Sequence, residues 1–236
     1  YGMERIMGRD FSPVRKVFDY AETHFLAELP LTYILTCTTN TGDKTNIHGL
    51  YIGRERREFE KAVAQSQEMN LIHMDEPFQK VVVYLDPREF KSTWLGNKAV
   101  YRTRMAIADS GELIVLAPGV DKFGEDPEND RLIRKYGYCG REKVLELVDR
   151  PECGDLRDNL SVAAHLIHGS SDGRFHITYC TEQLTGDEVR GVCFGYMPYA
   201  EAAKKYDPAV LTDGYHEIDG ERIFYISNPA LGLWSL

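Results

Sequence analysis

The sequence predicts an α/β protein built on an open, wound sheet with helices on both faces. Strand and helix patterns alternate along the chain, and this alternation is typical of parallel sheets with helical crossovers. The runs over 80–85 and 112–117 are continuously apolar, as in strands that are covered on both faces. A helical pattern lies between the two runs, so together they predict one βαβ unit of the Rossmann-like kind.

Two amphipathic helices and a hairpin are predicted for the first part of the chain. Ser12 is a suitable N-cap for the first helix, which has its apolar side chains on one face. A polar turn with Asn40 and Gly42 separates the two strands and favours a hairpin at a sheet edge. The predicted elements are a helix over 13–28, strands over 31–38 and 47–52, and a helix over 55–70.

The helix of the central βαβ unit is predicted over 94–109, with Ser110 and Gly111 ending it. After Gly119 the pattern becomes more helical, which predicts a helical insertion before the sheet resumes. No internal repeat, low-complexity tract or linker is present, so we expect a single α/β domain over 1–236. The remaining predicted elements are helices over 126–136, 142–148 and 155–168, strands over 175–179 and 192–196, a helix over 198–206 and a strand over 222–227.

Composition excludes several classes of function. A formal net charge of −9 and a pI near 5.3 argue against nucleic-acid binding, which needs a basic face. The five cysteines form no CxxC pair, so neither a disulfide framework nor a zinc ribbon is indicated. No apolar run reaches the roughly 20 residues that cross a bilayer, and no signal sequence is recognisable. We therefore expect a cytoplasmic protein with reduced thiols, and the start at Tyr1 suggests that an upstream segment is missing.

Lys98 is the most suggestive residue, because it falls in the first turns of the helix that follows the first apolar strand. In open α/β sheets, small ligands bind at the carboxyl ends of the strands. An ammonium group beside free backbone N–H groups suits a carboxylate or a phosphate, and Trp94 and Asn97 offer further N–H donors. The alternative is a lysine that is simply solvated on a helix face. Four neighbouring cations make this part of an acidic chain locally basic, namely Arg88, Lys91, Arg102 and Arg104.

Other motifs are weaker. His165 and His168 are three residues apart on a predicted helix, but no third ligand accompanies them, so last-turn histidines are the better interpretation and no metal site is predicted. The glycine-bearing loop before Asp126 lacks a nucleotide-binding fingerprint, so a substrate loop at the sheet edge is the better interpretation. The alternative is an ordinary helix start, with Asp126 as N-cap followed by proline. No Ser-His-Asp order or GxSxG elbow is evident, and Cys37 and Cys180 have strand contexts typical of buried thiols.

Five runs carry a resemblance to a known family. They are Phe90-Lys-Ser-Thr-Trp-Leu-Gly-Asn-Lys-Ala-Val-Tyr101, Ala108-Asp-Ser-Gly-Glu-Leu-Ile-Val-Leu-Ala-Pro-Gly-Val120, Phe123-Gly-Glu-Asp126, Asn159-Leu-Ser-Val-Ala-Ala-His-Leu-Ile-His-Gly-Ser-Ser171 and Ser227-Asn-Pro-Ala-Leu-Gly-Leu-Trp234. Over nearly its whole length the chain resembles the carboxy-terminal domain of the nickel-pincer lactate racemase family, in the branch whose members are labelled D-mannonate epimerases.

The resemblance implies an isomerase of hydroxy acids. Members of the family racemise or epimerise 2-hydroxy acids by moving the α-hydrogen as a hydride to and from a nickel-binding pincer cofactor, while histidines handle the hydroxyl proton. Lys98 falls on the family's substrate-binding lysine, Trp94 on the aromatic position before it, and Trp234 is a candidate for a further substrate contact. Leu95 stands where lactate racemases tend to carry a polar amide, which indicates a different or larger acid.

The same resemblance implies that part of the enzyme lies outside this chain. In the family, the cofactor-anchoring lysine, the catalytic histidines and the nickel-binding histidine belong to an amino-terminal domain and its edge, and nothing here matches them. We therefore expect no catalytic and no metal-binding residue in this chain, no cofactor bound to it alone, and no activity without the missing amino-terminal domain. The other expected partner is a small carboxylate substrate, with no nucleic acid and no membrane.

Three hypotheses remain open. The first is the substrate-side domain of a racemase or sugar-acid epimerase, which predicts an upstream lysine and histidine cluster in the complete gene. The second is a stand-alone, non-catalytic hydroxy-acid-binding module, which predicts a start codon just before Tyr1 and binding without turnover. The third is an unrelated nucleotide-binding protein, which predicts phosphate at the loop over 118–124 and is disfavoured by the missing glycine motifs.

Overall fold

The computed structural model describes residues 5–41 and 44–236, which divide into two compact units. The first unit takes the residues up to His73 together with Leu231–Ser235, and the second takes Met74–Ala230 and Leu236. The expectation of one domain over the whole chain stays a prediction. Gly42 of the predicted hairpin turn lies outside the described residues.

The strands of the described residues are β1 (Tyr33–Thr41), β2 (Lys44–Gly53), β3 (Leu71–His73), β4 (Phe78–Tyr84), β5 (Ile107–Leu116), β6 (His176–Thr181), β7 (Gly195–Pro198), β8 (Gly214–Ile218), β9 (Glu221–Ile226) and β10 (Leu233–Ser235). The α-helices are α1 (Pro13–Phe25), α2 (Arg56–Asn70), α3 (Thr93–Gly96), α4 (Lys98–Thr103), α5 (Pro127–Tyr136), α6 (Arg141–Asp149), α7 (Gly154–Arg157), α8 (Leu160–His168), α9 (Gly186–Gly191) and α10 (Tyr199–Lys205). Short 3-10 helices cover Pro151–Cys153 and Pro229–Leu231.

The first unit is built around the hairpin. β1 and β2 pair antiparallel in a two-stranded sheet of their own, while β3 and β10 pair in parallel. α2 lies against the hairpin, and there the buried thiol of Cys37 donates to the carbonyl of Ala62 at 3.0 Å. Ser12 caps α1 as predicted, since its hydroxyl accepts from the N–H of Arg15 at 3.0 Å. The hairpin is thus confirmed, but it forms a separate sheet instead of an edge of the main one.

The second unit is a wound α/β sheet, as predicted. Its six strands lie in the order β7-β6-β5-β4-β9-β8, and all neighbours are parallel except β8 and β9. α10 packs on one face, where Ala202 joins a buried cluster with Val82 and Cys180. α3 lies on the other face, where Gly96 approaches the hydroxyl of Tyr179. Because Tyr179 and Cys180 are adjacent in β6, they point to opposite faces, and helices therefore cover both.

The order of the strands places a switch point at β4. The chain proceeds from β4 through β5 and β6 to β7 on one side, and β9 then returns to the other side of β4. At such a point the connections leave the sheet in opposite directions, which opens a crevice beyond the carboxyl ends of the strands. The connection from β4 leads directly to α3 and α4, and Lys98 is the first residue of α4.

The two continuous apolar runs form the centre of this sheet, as predicted. Val81, Val82 and Val83 of β4 have no exposed surface. Leu113 and Val115 of β5 are equally enclosed. Successive side chains of a strand point to opposite faces, so complete burial of neighbours requires cover on both sides.

The helix predicted over 94–109 is too long. Two short helices, α3 and α4, take its place, and β5 already begins at Ile107. Ser110 and Gly111 therefore lie inside β5 and do not end a helix. Ser110 has a φ of 64°, and its N–H donates to the carbonyl of Arg174. A long-range backbone hydrogen bond thus holds a conformation that local sequence patterns associate with a turn.

The predicted helical insertion lies between β5 and β6 and contains α5 to α8. Asp126 caps α5 as predicted, accepting from two N–H groups of the first turn at 3.0 and 2.9 Å. The helix predicted over 155–168 is divided into α7 and α8, because Asn159 caps α8. Elements that the patterns missed are α9, β3, β8 and β10. In the described part of the chain, no helix has both the length and the apolar character needed to cross a membrane.

Candidate functional site

Two loops at the carboxyl edge of the sheet hold the start of α3. The N–H of Thr93 donates to the carbonyl of Lys122 at 3.1 Å, and the N–H of Trp94 donates to the carbonyl of Phe123 at 2.8 Å. The N–H of Leu95 donates to the Ser92 hydroxyl at 3.2 Å. These first N–H groups are therefore already satisfied within the protein. An anion at the start of α3 therefore has to be held by side chains and not by these N–H groups.

Lys98 occupies this edge with its side chain half-buried. Its Nζ lies 5.6 Å from the ring centroid of Phe90, a residue of the β4–α3 loop that is only 2% exposed. An ammonium group over an aromatic face gains a cation–π interaction. Lys98 forms no ion pair with any residue that the structure describes. The amine is thus held beside the sheet edge without a carboxylate to neutralise it.

Trp94 lies beside a polar cluster that comes from other parts of the second unit. Its ring stacks on His165, with centroids 4.1 Å apart and planes at 23°. Nε2 of His165 lies 3.0 Å from the hydroxyl of Tyr138, which lies 2.8 Å from Oγ1 of Thr93. Burial, and next the charge of His168, lower the pKa of His165 to about 3, so the ring is neutral at pH 7. His165 and His168 lie in the last turn of α8, as predicted, but burial keeps His165 neutral, so it does not interact with the helix dipole as a charged group.

Asn97 points into the interior. Its side chain has no exposed surface, and Oδ1 accepts from the hydroxyl of Tyr179 at 2.7 Å. Nδ2 is buried without a hydrogen-bond partner among the described residues. A Cβ at Gly169 would lie 2.2 Å from this nitrogen and 2.7 Å from the ring of Tyr138, so only glycine fits there. Asn97 therefore joins the helices to the sheet, and its predicted contact with a substrate stays a prediction.

The predicted basic patch is partly neutralised. Arg88 forms an ion pair with Asp86 at 2.6 Å. Arg104 is 3% exposed, and its guanidinium lies 3.7 Å from the carboxylate of Asp172. Lys91 is exposed. The positive charge near Lys98 is thus smaller than the composition of this stretch indicates.

The loop over 117–124 is filled by the protein's own carboxylate. Oδ1 of Asp130 accepts from the N–H groups of Phe123 at 2.7 Å and of Gly124 at 3.1 Å. Burial works to raise the pKa of Asp130, but Arg134 and these N–H groups lower it overall. The donors that a phosphate would use are therefore occupied, which counts against the phosphate site that the third hypothesis predicts.

Trp234, the remaining predicted site residue, belongs to the first unit. It lies in β10, pairs with Ile72 of β3, and is 6% exposed. Its contact with a substrate stays a prediction.

Sequence reasoning missed the cluster around Trp94. Tyr138 follows α5, His165 lies in α8, and Thr93 begins α3, so three separate elements bring these groups together. No spacing in the sequence connects them. The only local sign is the polar and aromatic character of each residue at a position next to apolar ones.

No protein-family model matches the chain, and no curated protein matches it. Several solved structures are similar to the chain, and two of them are the following. One is a crystal structure of a protein from Thermotoga maritima, with a TM-score of 0.74 and 22% identity, covering 99% of this chain and 56% of that one. The other is the lactate racemase apoprotein from Thermoanaerobacterium thermosaccharolyticum, with a TM-score of 0.66 and 14% identity, covering 96% of this chain and 50% of that one. The chain has a lactate-racemase-like fold and spans about half the length of these relatives.

Within residues 5–41 and 44–236, no group of three or more His, Cys, Asp or Glu side chains is arranged to hold a metal ion. A metal site that is built from protein side chains alone needs several such ligands.

Proposed function

We propose that this chain is the substrate-side domain of a nickel-pincer-dependent racemase or epimerase of 2-hydroxy acids, of the D-mannonate epimerase kind, and that it is inactive without an amino-terminal domain. The observation that carries the proposal is Lys98. Its ammonium is half-buried at the carboxyl edge of the sheet, over the ring of Phe90, and no described carboxylate pairs with it. A partly desolvated charge is stabilised by a partner, and a carboxylate substrate supplies one.

The residues around Lys98 support binding and orientation. The ammonium has three N–H donors for a carboxylate. Trp94 lies four residues before Lys98 on the preceding helical turn, and its half-exposed ring offers a flat apolar face for the carbon chain of an acid. We assign to this chain the holding of the substrate and no step of hydrogen transfer, because in the family that it resembles the catalytic histidines belong to the amino-terminal domain.

Calorimetric titration of the chain with D-mannonate and with lactate tests the proposal. We expect Lys98→Ala to weaken binding of both acids by about tenfold or more, because it removes a charge-assisted hydrogen bond. Lys91→Ala is the matched control, since it removes an exposed lysine of the neighbouring loop. It should leave both affinities unchanged.

Two outcomes contradict the proposal. One is equal binding by wild type and Lys98→Ala. The other is equal loss in Lys98→Ala and Lys91→Ala, which indicates a general effect of net charge. Assay of the complete gene product with its nickel cofactor installed then separates an enzyme domain from a binding module, because only the former gives turnover.

A further inference from the structure

The hydrogen bonds of the cluster at Trp94 determine the protonation of His165. A hydroxyl group has one proton to donate. Oγ1 of Thr93 donates its proton to the carbonyl of Phe123 at 3.0 Å, because a carbonyl can only accept. The hydrogen bond of 2.8 Å between Thr93 and Tyr138 is therefore donated by Tyr138.

The direction of these hydrogen bonds also determines which nitrogen of His165 carries the ring proton. With its proton directed to Thr93, the oxygen of Tyr138 can only accept from His165 at 3.0 Å. Nε2 of His165 then carries the ring proton, and a neutral imidazole has only one. Nδ1 of His165 is left with a bare lone pair.

This lone pair has no partner inside the protein. Nδ1 of His165 makes no hydrogen bond with any residue of the described ranges, and the ring is only half-buried. Buried or half-buried polar atoms are normally satisfied by protein, water or ligand. A stacking partner for Trp94 alone does not require a nitrogen at this position, because a phenyl ring would stack equally well.

His165 is connected to the candidate site through Trp94, on which it stacks at a centroid distance of 4.1 Å. Trp94 lies in α3, four residues before Lys98, which begins α4. The indole thus contacts an acceptor that suits a hydroxyl and precedes by four residues an ammonium that suits a carboxylate. A polyhydroxylated acid has both groups on one carbon chain.

We propose that His165 is a substrate-binding residue, which accepts a hydrogen bond from a chain hydroxyl of the acid through Nδ1 and so selects polyhydroxylated acids over short ones. The inference rests on the proposed function, since it takes Lys98 as the carboxylate contact. The low pKa of His165 agrees with an acceptor that stays neutral, and not with a group that takes up the proton.

His165→Phe and His165→Asn test this role by calorimetry with D-mannonate and lactate. The phenyl ring keeps the stack on Trp94 and removes both nitrogens. We expect His165→Phe to bind D-mannonate about tenfold more weakly and lactate as wild type does, because one hydrogen bond to a distal hydroxyl is lost. His165→Asn should recover part of the affinity for D-mannonate, since its amide oxygen can accept in place of Nδ1.

Nitrogen NMR of the wild-type imidazole gives a readout that does not depend on a variant. Nδ1 of His165 should have the shift of an unprotonated ring nitrogen, and this shift should move on saturation with D-mannonate and not with lactate. A protonated Nδ1 in the free chain, or an unmoved Nδ1 shift at saturation, overturns the inference.

Lys98→Ala, measured in parallel, separates this inference from the proposed function. If Lys98→Ala loses both acids while His165→Phe binds them as wild type does, the role of His165 is wrong and the proposed function stands. Loss of both acids in His165→Phe also contradicts the inference, because the effect is then not specific to hydroxyls. If Lys98→Ala binds both acids normally, the proposed function itself fails.

Discussion

The two units of this chain differ in how completely they bury their apolar side chains. In the second unit, β4 and β5 form an enclosed core, and Val83 and Leu116 have no exposed surface. In the first unit, α1 contains no buried residue, although its apolar side chains share one face. Phe18 is 58% exposed there, and Phe25 is 72% exposed. An amphipathic pattern thus forms the expected helix in both units, but the apolar face of α1 stays largely exposed.

The hairpin of the first unit also leaves apolar side chains exposed. Ile34 and Ile52 are paired across the two strands and are 68% and 56% exposed. Burial of apolar surface contributes about 25 cal/mol per Å², so these side chains add little to the stability of this chain. α2 covers one face of this two-stranded sheet, and the face with these side chains stays open. We therefore expect the first unit to open more readily than the second.

Two leucine substitutions, one in each unit, should differ most in their effect on the free energy of unfolding. Leu116→Ala in β5 removes a side chain with no exposed surface, whereas Leu50→Ala in β2 removes one that is 59% exposed. We expect the first to lower the free energy of unfolding by about 2–5 kcal/mol, because it leaves a cavity, and the second by about 0.5 kcal/mol or less. Urea unfolding followed by circular dichroism measures both. Equal losses of free energy would show that exposed and buried leucines contribute equally, and that the two units do not differ in how much their apolar side chains stabilise the chain.

The stability of the second unit should also depend on pH, because it contains His165. His165 has its ordinary pKa of 6.5 when unfolded and a pKa of about 3 when folded, chiefly because of burial. Between these values the unfolded chain binds the extra proton, so this contribution to stability is present above pH 6.5 and is lost as the pH falls towards 3. We expect a loss of at most about 1 kcal/mol between pH 6.5 and 5.5 from this group.

His165→Phe provides the control for this pH dependence, because it keeps a ring beside Trp94 and removes the titrating group. Its stability should change less than that of wild type over the same pH interval, as measured by urea unfolding at each pH. An unchanged slope in His165→Phe would mean that other groups cause the pH dependence.

Features that depend on neighbouring residues can be predicted from the sequence, and features that depend on distant contacts cannot. The apolar run of β4 and the caps Ser12 and Asp126 depend on residues next to one another, and all three are where the patterns indicate. β5 begins instead at Ile107, which pairs with Phe78 of β4, and Ser110 within β5 donates to the distant carbonyl of Arg174. These contacts between distant residues lie where the pattern predicts the end of a helix. Local patterns contain no information about such contacts.

The residues of the candidate site also differ in whether the sequence alone indicates them. Lys98 was found because strand, loop and helix follow one another along the chain, so its place at the sheet edge is a local property. His165 and Tyr138 were not connected to it, because packing between separate elements brings them beside Trp94. The place of Lys98 can therefore be predicted from the sequence, whereas the contacts of His165 and Tyr138 beside Trp94 require the structure.

Removal of one helix cap in each unit should change stability least, and it tests whether the first unit opens separately from the second. Ser12→Ala removes the cap of α1 in the first unit, and Asp126→Ala removes that of α5 in the second. Each loss should be about 1 kcal/mol, because one or two N–H groups at the helix start lose a side-chain acceptor. If the first unit opens on its own, Ser12→Ala raises amide hydrogen exchange in the hairpin and α1 and leaves exchange in β4 and β5 unchanged. Asp126→Ala should instead raise exchange in the central strands. Equal acceleration of β4 and β5 by both variants would mean that the chain unfolds as one cooperative body, and the difference in burial would then have no counterpart in local stability.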